Sequence, residues 1–308
     1  MKLQIRKLIL TILIALAVLS LVITFGILNT KEGDSKANSY VTGSLNPFDL
    51  ANKQVKADGL VILGKLTSID PLKNTFSIFF EFYPVGKYAL VEALVPVDSL
   101  AVYVGTKNYN FNSGQLMNYF EAPFTLTEGD SNRYPIDSYA NTLMFNARDG
   151  NNSVPIYIGF GGNLIGWQVD FKLQEDLQNS FVTSEIYFSR SITTRFFSFF
   201  IIILMWSLSI CVFAVSLSIY IRGRSVEPPT IAVCAGILFA LPIVRNIQPG
   251  VPAIGCTSDV VGLFWNIGFV GVSCIMLLIN YVLRYKRVKK VEKVQEVQPA
   301  STVPVVVV

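Results

Sequence analysis

The chain contains no histidine among its 308 residues. Imidazole general bases, Ser-His-Asp triads, imidazole metal ligands and histidine pH switches are thereby excluded. Charge is scarce: 15% of the residues are Asp, Glu, Lys or Arg, where a soluble domain carries about 25%. Cysteine is limited to four residues, of which Cys211, Cys234 and Cys274 lie in apolar runs and Cys256 in a polar loop, with no CxxC pair. That pattern supplies neither a disulfide framework nor a zinc ribbon or thioredoxin-like site. What fills the chain instead is apolar, 52% of it, with a mean hydropathy of +0.49. A water-soluble surface hardly tolerates such a composition, so the sequence reads as an integral membrane protein.

Four runs approach the roughly 20 apolar residues that cross a bilayer. They cover residues 8–28, 196–221, 230–247 and 260–283. The third is short and carries Pro242, which predicts a kink or an early end. The first follows Lys2, Arg6 and Lys7 and so also fits a secretory signal peptide. Its run exceeds the roughly 7–15 residues of such a core and no small-x-small cleavage site follows cleanly, so an uncleaved anchor is expected.

Orientation follows from the basic residues flanking the spans. With residues 1–7 cytoplasmic, the loop 222–229 and the tail 284–308 share that side. Together these pieces hold eleven basic side chains against Glu227, Glu292 and Glu296, a net of +8. Residues 29–195 hold thirteen basic and seventeen acidic side chains, a net of −4. The overall charge of +4 is thus an inner-face bias, and no nucleic-acid partner is expected. Both termini are expected in the cytoplasm, and the membrane is that of the cell surface or secretory pathway. The tail, RYKRVKKVEKVQEV followed by a valine-rich end, is expected to be unstructured. It is a stop-transfer flank that can also attract anionic lipid.

Between the first two spans, residues 29–195 have the length of one domain. After a polar linker the pattern has period two: Phe76, Ile78, Phe80 and Phe82 alternate with Thr75, Ser77, Phe79 and Glu81. Similar runs occur at residues 60–69, 88–95, 100–104, 140–145, 154–160, 168–173 and 184–189, separated by Gly, Pro and Asp turn signals. Eight or nine such strands predict an antiparallel β-sandwich. The expected fold is therefore α+β, an outer β-sandwich between one N-terminal span and a three-helix transmembrane bundle, with 248–259 an outer Pro/Gly loop.

Candidate sites follow from local chemistry. Asn151-Asn152-Ser153 is the sole sequon, at a turn on the outer side, which makes Asn151 a candidate glycosylation acceptor. Gly159-Phe160-Gly161-Gly162-Asn163 is glycine-rich, but a strand rather than a helix follows, so a hairpin turn is expected instead of a phosphate cradle. The acidic pairs Glu175-Asp176 and Glu128/Asp130 are expected to be solvated. Arg133-Tyr134-Pro135-Ile136-Asp137-Ser138-Tyr139 is a turn with two readings. One is structural, with Tyr134 and Tyr139 packing on the sandwich and Asp137 accepting backbone N–H groups; the other is a coupling or ligand loop. In the fourth span Asn266, Ser273 and Asn280 recur every seven residues, a polar stripe suited to interhelical hydrogen bonds. Ser198, Ser209 and Ser216 share one side of the second span, and Ala232, Gly236 and Ala240 form a small-residue face on the third. Arg245 and Asp259 bracket the outer loop, where a membrane-edge ion pair or a polar gate would sit.

The stretches RYPIDSY (133–139) and LFALPIVRNIQPGVPAIGC (238–256), with Trp265 opening the last span, resemble an uncharacterised family of multispan membrane proteins. That family is a domain of unknown function found chiefly in fungi and actinobacteria. The resemblance covers most of residues 55–285 and implies the same layout, with no activity attached. A fainter resemblance, carried by Pro135-Ile136-Asp137, is to pentameric ligand-gated channels. This chain departs from them in its leading span, in having three spans after the β-domain where they have four, and in lacking a cysteine pair around that turn. Its helix at the pore-lining position, 231–244, carries almost no polar side chain.

A non-enzymatic binding, sensing or structural protein is thus expected, with no cofactor and no metal. Its partners would be the bilayer and an extracellular ligand or protein. The alternative is an oligomeric channel-like protein with a ligand-responsive outer domain.

Overall fold

The structure is a computed structural model that describes residues 40–41, 57–90, 95–162, 164–176 and 181–297. The expected first span lies outside the described residues. The chain divides into two compact units, Met1–Phe196 and Phe197–Val308, of α+β character together.

The first unit is built of strands β1 (Tyr40–Val41), β2 (Gly59–Asp70), β3 (Thr75–Val85), β4 (Leu100–Val104), β5 (Lys107–Phe111), β6 (Phe120–Thr125), β7 (Glu128–Gly129), β8 (Ser138–Asp149), β9 (Asn152–Ser153), β10 (Ile156–Gly161), β11 (Trp167–Asp176) and β12 (Phe181–Arg190). One sheet has the order β1-β10-β2-β3-β6. The other has the order β11-β12-β8-β4-β5, with β7 and β9 also paired to β8. Period-two patterning does the sorting: β3 buries Phe76, Ile78, Phe80 and Phe82 and leaves the residues between them half-exposed. The inward faces of the two sheets meet in one core. Phe76 of the first lies 5.1 Å from Phe188 of the second, and Phe80 lies 6.1 Å from Phe145, ring centroid to centroid.

Beyond the strands β1, β5, β6, β7 and β9, which the sequence reading did not contain, three features differ from it. The pairing is antiparallel except for β10 with β2, which is parallel. There β2 is buried at consecutive positions from Gly59 to Ile62, the continuous apolar run of a strand covered on both faces rather than an alternating one. The glycine-rich segment around Gly159–Gly162 is no hairpin, because β10 and β11 belong to different sheets and the connection crosses between them. The run at 88–95 does not form a strand among its described residues. Gly86, at φ 63°, turns the chain, Lys87 donates its N–H to the Asp58 carboxylate at 2.9 Å, and Ala89 makes a single bridge to Pro96.

The second unit contains helices α1 (Ile192–Arg222), α2 (Pro228–Asn246) and α3 (Phe264–Val297), the last preceded by a π-helical turn at Asp259–Leu263. α1, α2 and the segment Asp259–Leu283 are each long and apolar enough to cross a membrane. Proline opens α2 at Pro228, where no N–H is required, and Pro242 is carried within the helix, which continues to Asn246. From the π turn into α3 the buried residues fall at heptad spacing, Leu263, Asn266, Val270, Ser273 and Leu277. α1 answers with Ser198, Ile202, Met205, Ser209 and Ser216. Helix α3 continues through the basic segment to Val297, where an unstructured tail was expected. No glycine or proline interrupts the chain between Gly271 and Pro299, and Lys, Arg, Glu and Gln are good helix formers.

Candidate functional site: two buried arginine–aspartate pairs

Strand alternation sets the first pair. β12 turns Val182, Ser184, Ile186 and Phe188 inward, and the same phase carries Arg190, the last residue of the strand, into the interior. β8 turns Tyr139, Asn141, Leu143 and Phe145 inward, and one step before its start stands Asp137. Ser138 pairs with Ser189, so the two charged groups meet. Arg190 Nε donates to both Asp137 oxygens at 3.1 Å. Tyr139 donates its hydroxyl to Asp137 Oδ2 at 3.0 Å. The guanidinium lies 4.0 Å from the Trp167 ring centroid and 5.2 Å from that of Tyr134. Cation–π contacts of this kind contribute about 0.5–2 kcal/mol each.

The turn itself is held by neighbours. Asp130 accepts the Asn132 N–H at 2.9 Å and caps the short helical turn Ser131–Arg133. The Tyr134–Pro135 peptide bond is cis. Gly129, at φ 145°, lies under Tyr139, and a Cβ there would collide with the ring, so glycine is what lets the tyrosine reach Asp137. Burial first, and the Asp137 carboxylate second, push the Tyr139 hydroxyl well above its ordinary pKa. It therefore remains a neutral donor.

The strand-to-helix junction is fixed just beyond. Gly166 O accepts from Ser191 N at 3.0 Å and from Thr194 Oγ1 at 3.2 Å, while Ser191 Oγ accepts the Thr194 N–H at the first turn of α1.

The second pair closes the loop between α2 and α3. Arg245 Nε donates to Asp259 Oδ1 at 2.6 Å and Nη2 to Oδ2 at 2.8 Å, a bidentate contact with both side chains buried. Nη2 also donates to Pro252 O at 2.8 Å, and Nη1 to Asn246 Oδ1 at 3.2 Å. Asp259 further accepts the Gly255 N–H at 2.8 Å and the Cys256 thiol at 3.3 Å. Ser258 donates to Gln248 Oε1 at 2.9 Å. The Pro/Gly loop is thus drawn around one saturated ion pair. Where α3 begins, the π turn opens the backbone ladder and Trp206 Nε1 donates to Val261 O at 3.1 Å.

The other sequence candidates distribute as follows. Arg133 is exposed, 3.9 Å from Asp130, and takes no part in the Asp137 pair. Asp137 accepts from Arg190 and Tyr139, where backbone donors were expected. Asn151 is exposed at the turn between β8 and β9. Asn266 and Ser273 are buried within the helices, Asn280 is half-buried, and Ser273 donates to Phe269 O of its own helix. Both amide atoms of Asn266, and Ser209 Oγ, lack a partner among the described residues. Ala232 and Gly236 face outward. Sequence reasoning missed Arg190 and Trp167. Extending the β12 alternation by one residue would have found the arginine, because an inward-phase cation demands a buried acid.

The fold thus defines a β-rich domain followed by three membrane-length apolar helices. Residues 50–186 match the family model Domain of unknown function (DUF4436), and residues 190–284 match Domain of unknown function (DUF8686). Asp137 falls in the first matched region and Arg190 opens the second, so the ion pair joins the two. No curated protein matches the chain.

Proposed function

We propose that this protein is a non-enzymatic integral membrane protein whose β-domain is displayed on the outer face of the cell-surface or secretory membrane. There it binds or senses an extracellular ligand or protein partner, with both termini cytoplasmic. The observation that carries the reading is the direct continuation of β12 into the 31-residue apolar helix α1, with the junction held by Asp137–Arg190 and by Ser191, Thr194 and Gly166. Both buried ion pairs are engaged in holding chain segments together, which suits a scaffold. The charge asymmetry across the spans supports the orientation, and Asn151 is then a glycosylation acceptor. The basic segment after residue 284 faces anionic lipid.

The channel-like alternative draws no support from the polar seam. Asn266 and Ser273 are buried among this chain's own helices, and the outward residues of α2, among them Val233, Phe239 and Ile243, are apolar. Alkaline carbonate extraction of isolated membranes tests the proposal: retention in the pellet is expected, and release into the supernatant would overturn it. Light scattering of the purified protein, corrected for detergent, tests the alternative, since a symmetric tetramer or pentamer would revive it.

A further inference from the structure

The end of the β-domain from which the chain enters α1 carries apolar residues on its loop tips. Trp167, the first residue of β11, pairs with Arg190, the last of β12, and Ser138, the first of β8, pairs with Ser189. The connection before β11, the 134–137 turn and the start of α1 therefore share one end. The turn between β2 and β3 joins them: Phe76 packs on Phe188, and Asn74 bonds to Leu126 through both its carbonyl and its side chain. Each of the three loops presents an aliphatic side chain to the outside. Leu72 is 67% exposed, Ile136 62% and Ile165 100%, and Ile192 at the start of α1 is 48% exposed. Lone exposed hydrophobics need no explanation, but here three separate tips point from the one end that continues into an apolar helix.

The loops are also held in place. Ile136 lies between Pro135 and the buried Asp137, and Ile165 precedes Gly166, whose carbonyl is bonded twice to the helix start. Two of the turns set a cation beside the apolar tip: Lys73, 3.0 Å from Asp70, and Arg133, 3.9 Å from Asp130. Aliphatic tips flanked by Lys and Arg match the boundary where acyl chains meet phosphate headgroups.

We infer that the β-domain seats on the outer leaflet, with Ile136, Ile165 and Leu72 inserted at the headgroup–acyl boundary. The partner of this surface is the lipid bilayer itself. The inference rests on the proposed membrane insertion of α1 and adds to it, since a span could equally hold its domain clear of the lipid. Seating would fix the domain's height and tilt, so that a ligand is presented at a constant distance from the membrane.

Spin labels test it in the full chain reconstituted into phosphatidylcholine nanodiscs. In a C211S/C274S background, with Cys234 and Cys256 in their buried positions, single labels go to Leu72→Cys, Ile136→Cys or Ile165→Cys. Asn151→Cys marks the opposite end of the domain, and native Cys211, exposed on α1, serves in C274S as the reference for the span. Relaxation by oxygen is compared with relaxation by a water-soluble nickel chelate. The expected result is oxygen outweighing nickel at 72, 136, 165 and 211, and the reverse at 151. Nickel dominance at 72, 136 and 165 with oxygen dominance at 211 overturns the seating alone. Nickel dominance at 211 overturns the membrane-spanning reading beneath it.

Discussion

Replacing Asp137 with Asn keeps the shape of the side chain and one carbonyl acceptor but removes the charge that Arg190 faces. Arg190 and Asp137 expose 7% and 0% of their side chains, so water cannot take over. Removing one member of a buried pair costs about 3–5 kcal/mol, because the survivor is left uncompensated. A hydrogen bond to a charged group contributes about 1.5–3 kcal/mol, and Asp137 accepts from two donors, the shared Arg190 Nε–H and the Tyr139 hydroxyl, which together give a comparable range. For a domain of this size each kcal/mol lowers Tm by about 2–4 °C, so D137N should lower the β-domain transition by at least roughly 6 °C. Near-UV circular dichroism of the detergent-solubilised full chain follows that transition through its aromatic core. Arg133→Gln, at an exposed pair, is the internal comparison and should shift stability by no more than about 0.5 kcal/mol. In the double variant D137N/R190Q the cost should fall short of the sum of the single costs, because the stranded charge is gone. A loss below about 1 kcal/mol for D137N, or strict additivity in the cycle, would refute the claim that this pair holds the turn to the last strand.

Other expectations follow from the same contacts. Asp259→Asn should release the loop around 246–258 and cost about 3–5 kcal/mol, read as protease cleavage in that loop at lower temperature than in the wild type. Asn266→Leu should leave thermal stability unchanged or raise it, since its buried amide has no partner among the described residues and such a group costs about 1–3 kcal/mol. A marked loss would show that the amide has a partner. At high pH the β-domain should weaken. Burial, reinforced by the hydroxyl's hydrogen bond to Glu81, pushes Tyr83 up to about 12, so the folded chain keeps a proton that the unfolded chain gives up near 10. The stabilisation is whole below that lower value and is lost as pH rises through the upper one. Urea midpoints measured across this window should fall, and Tyr83→Phe should flatten the fall.

Strands β2, β3, β4, β8, β10, β11 and β12 and the three helices were legible through single signals, such as period two for β8 and β12 and unbroken apolar length for α1; β5 and β6 were not read as strands. The parallel partner of β2 was not legible, since Gly59–Ile62 is apolar at every position and such a run does not report which strand lies beside it. The sheet-to-sheet crossing after Gly161 was hidden for a related reason, because a glycine cluster marks a turn without marking its destination. Arg245 and Asp259 stood out because both flank a short loop beside apolar runs. Arg190 did not, lying 53 residues from Asp137 at a strand end where a basic residue reads as an ordinary span flank. Its burial follows from the alternation of β12 carried one residue further, but its partner follows only from the register with β8.

The central claim is a β-domain displayed on one side of a membrane with the α1–α2 loop on the other. It is tested most directly by labelling sealed, right-side-out vesicles with a membrane-impermeant maleimide. With the exposed Cys211 and the half-buried Cys274 changed to serine, Asn151→Cys should label fully in intact vesicles, and Arg224→Cys only after the membrane is permeabilised. Equal labelling of both sites in intact vesicles, or labelling of Arg224→Cys alone, would contradict the account.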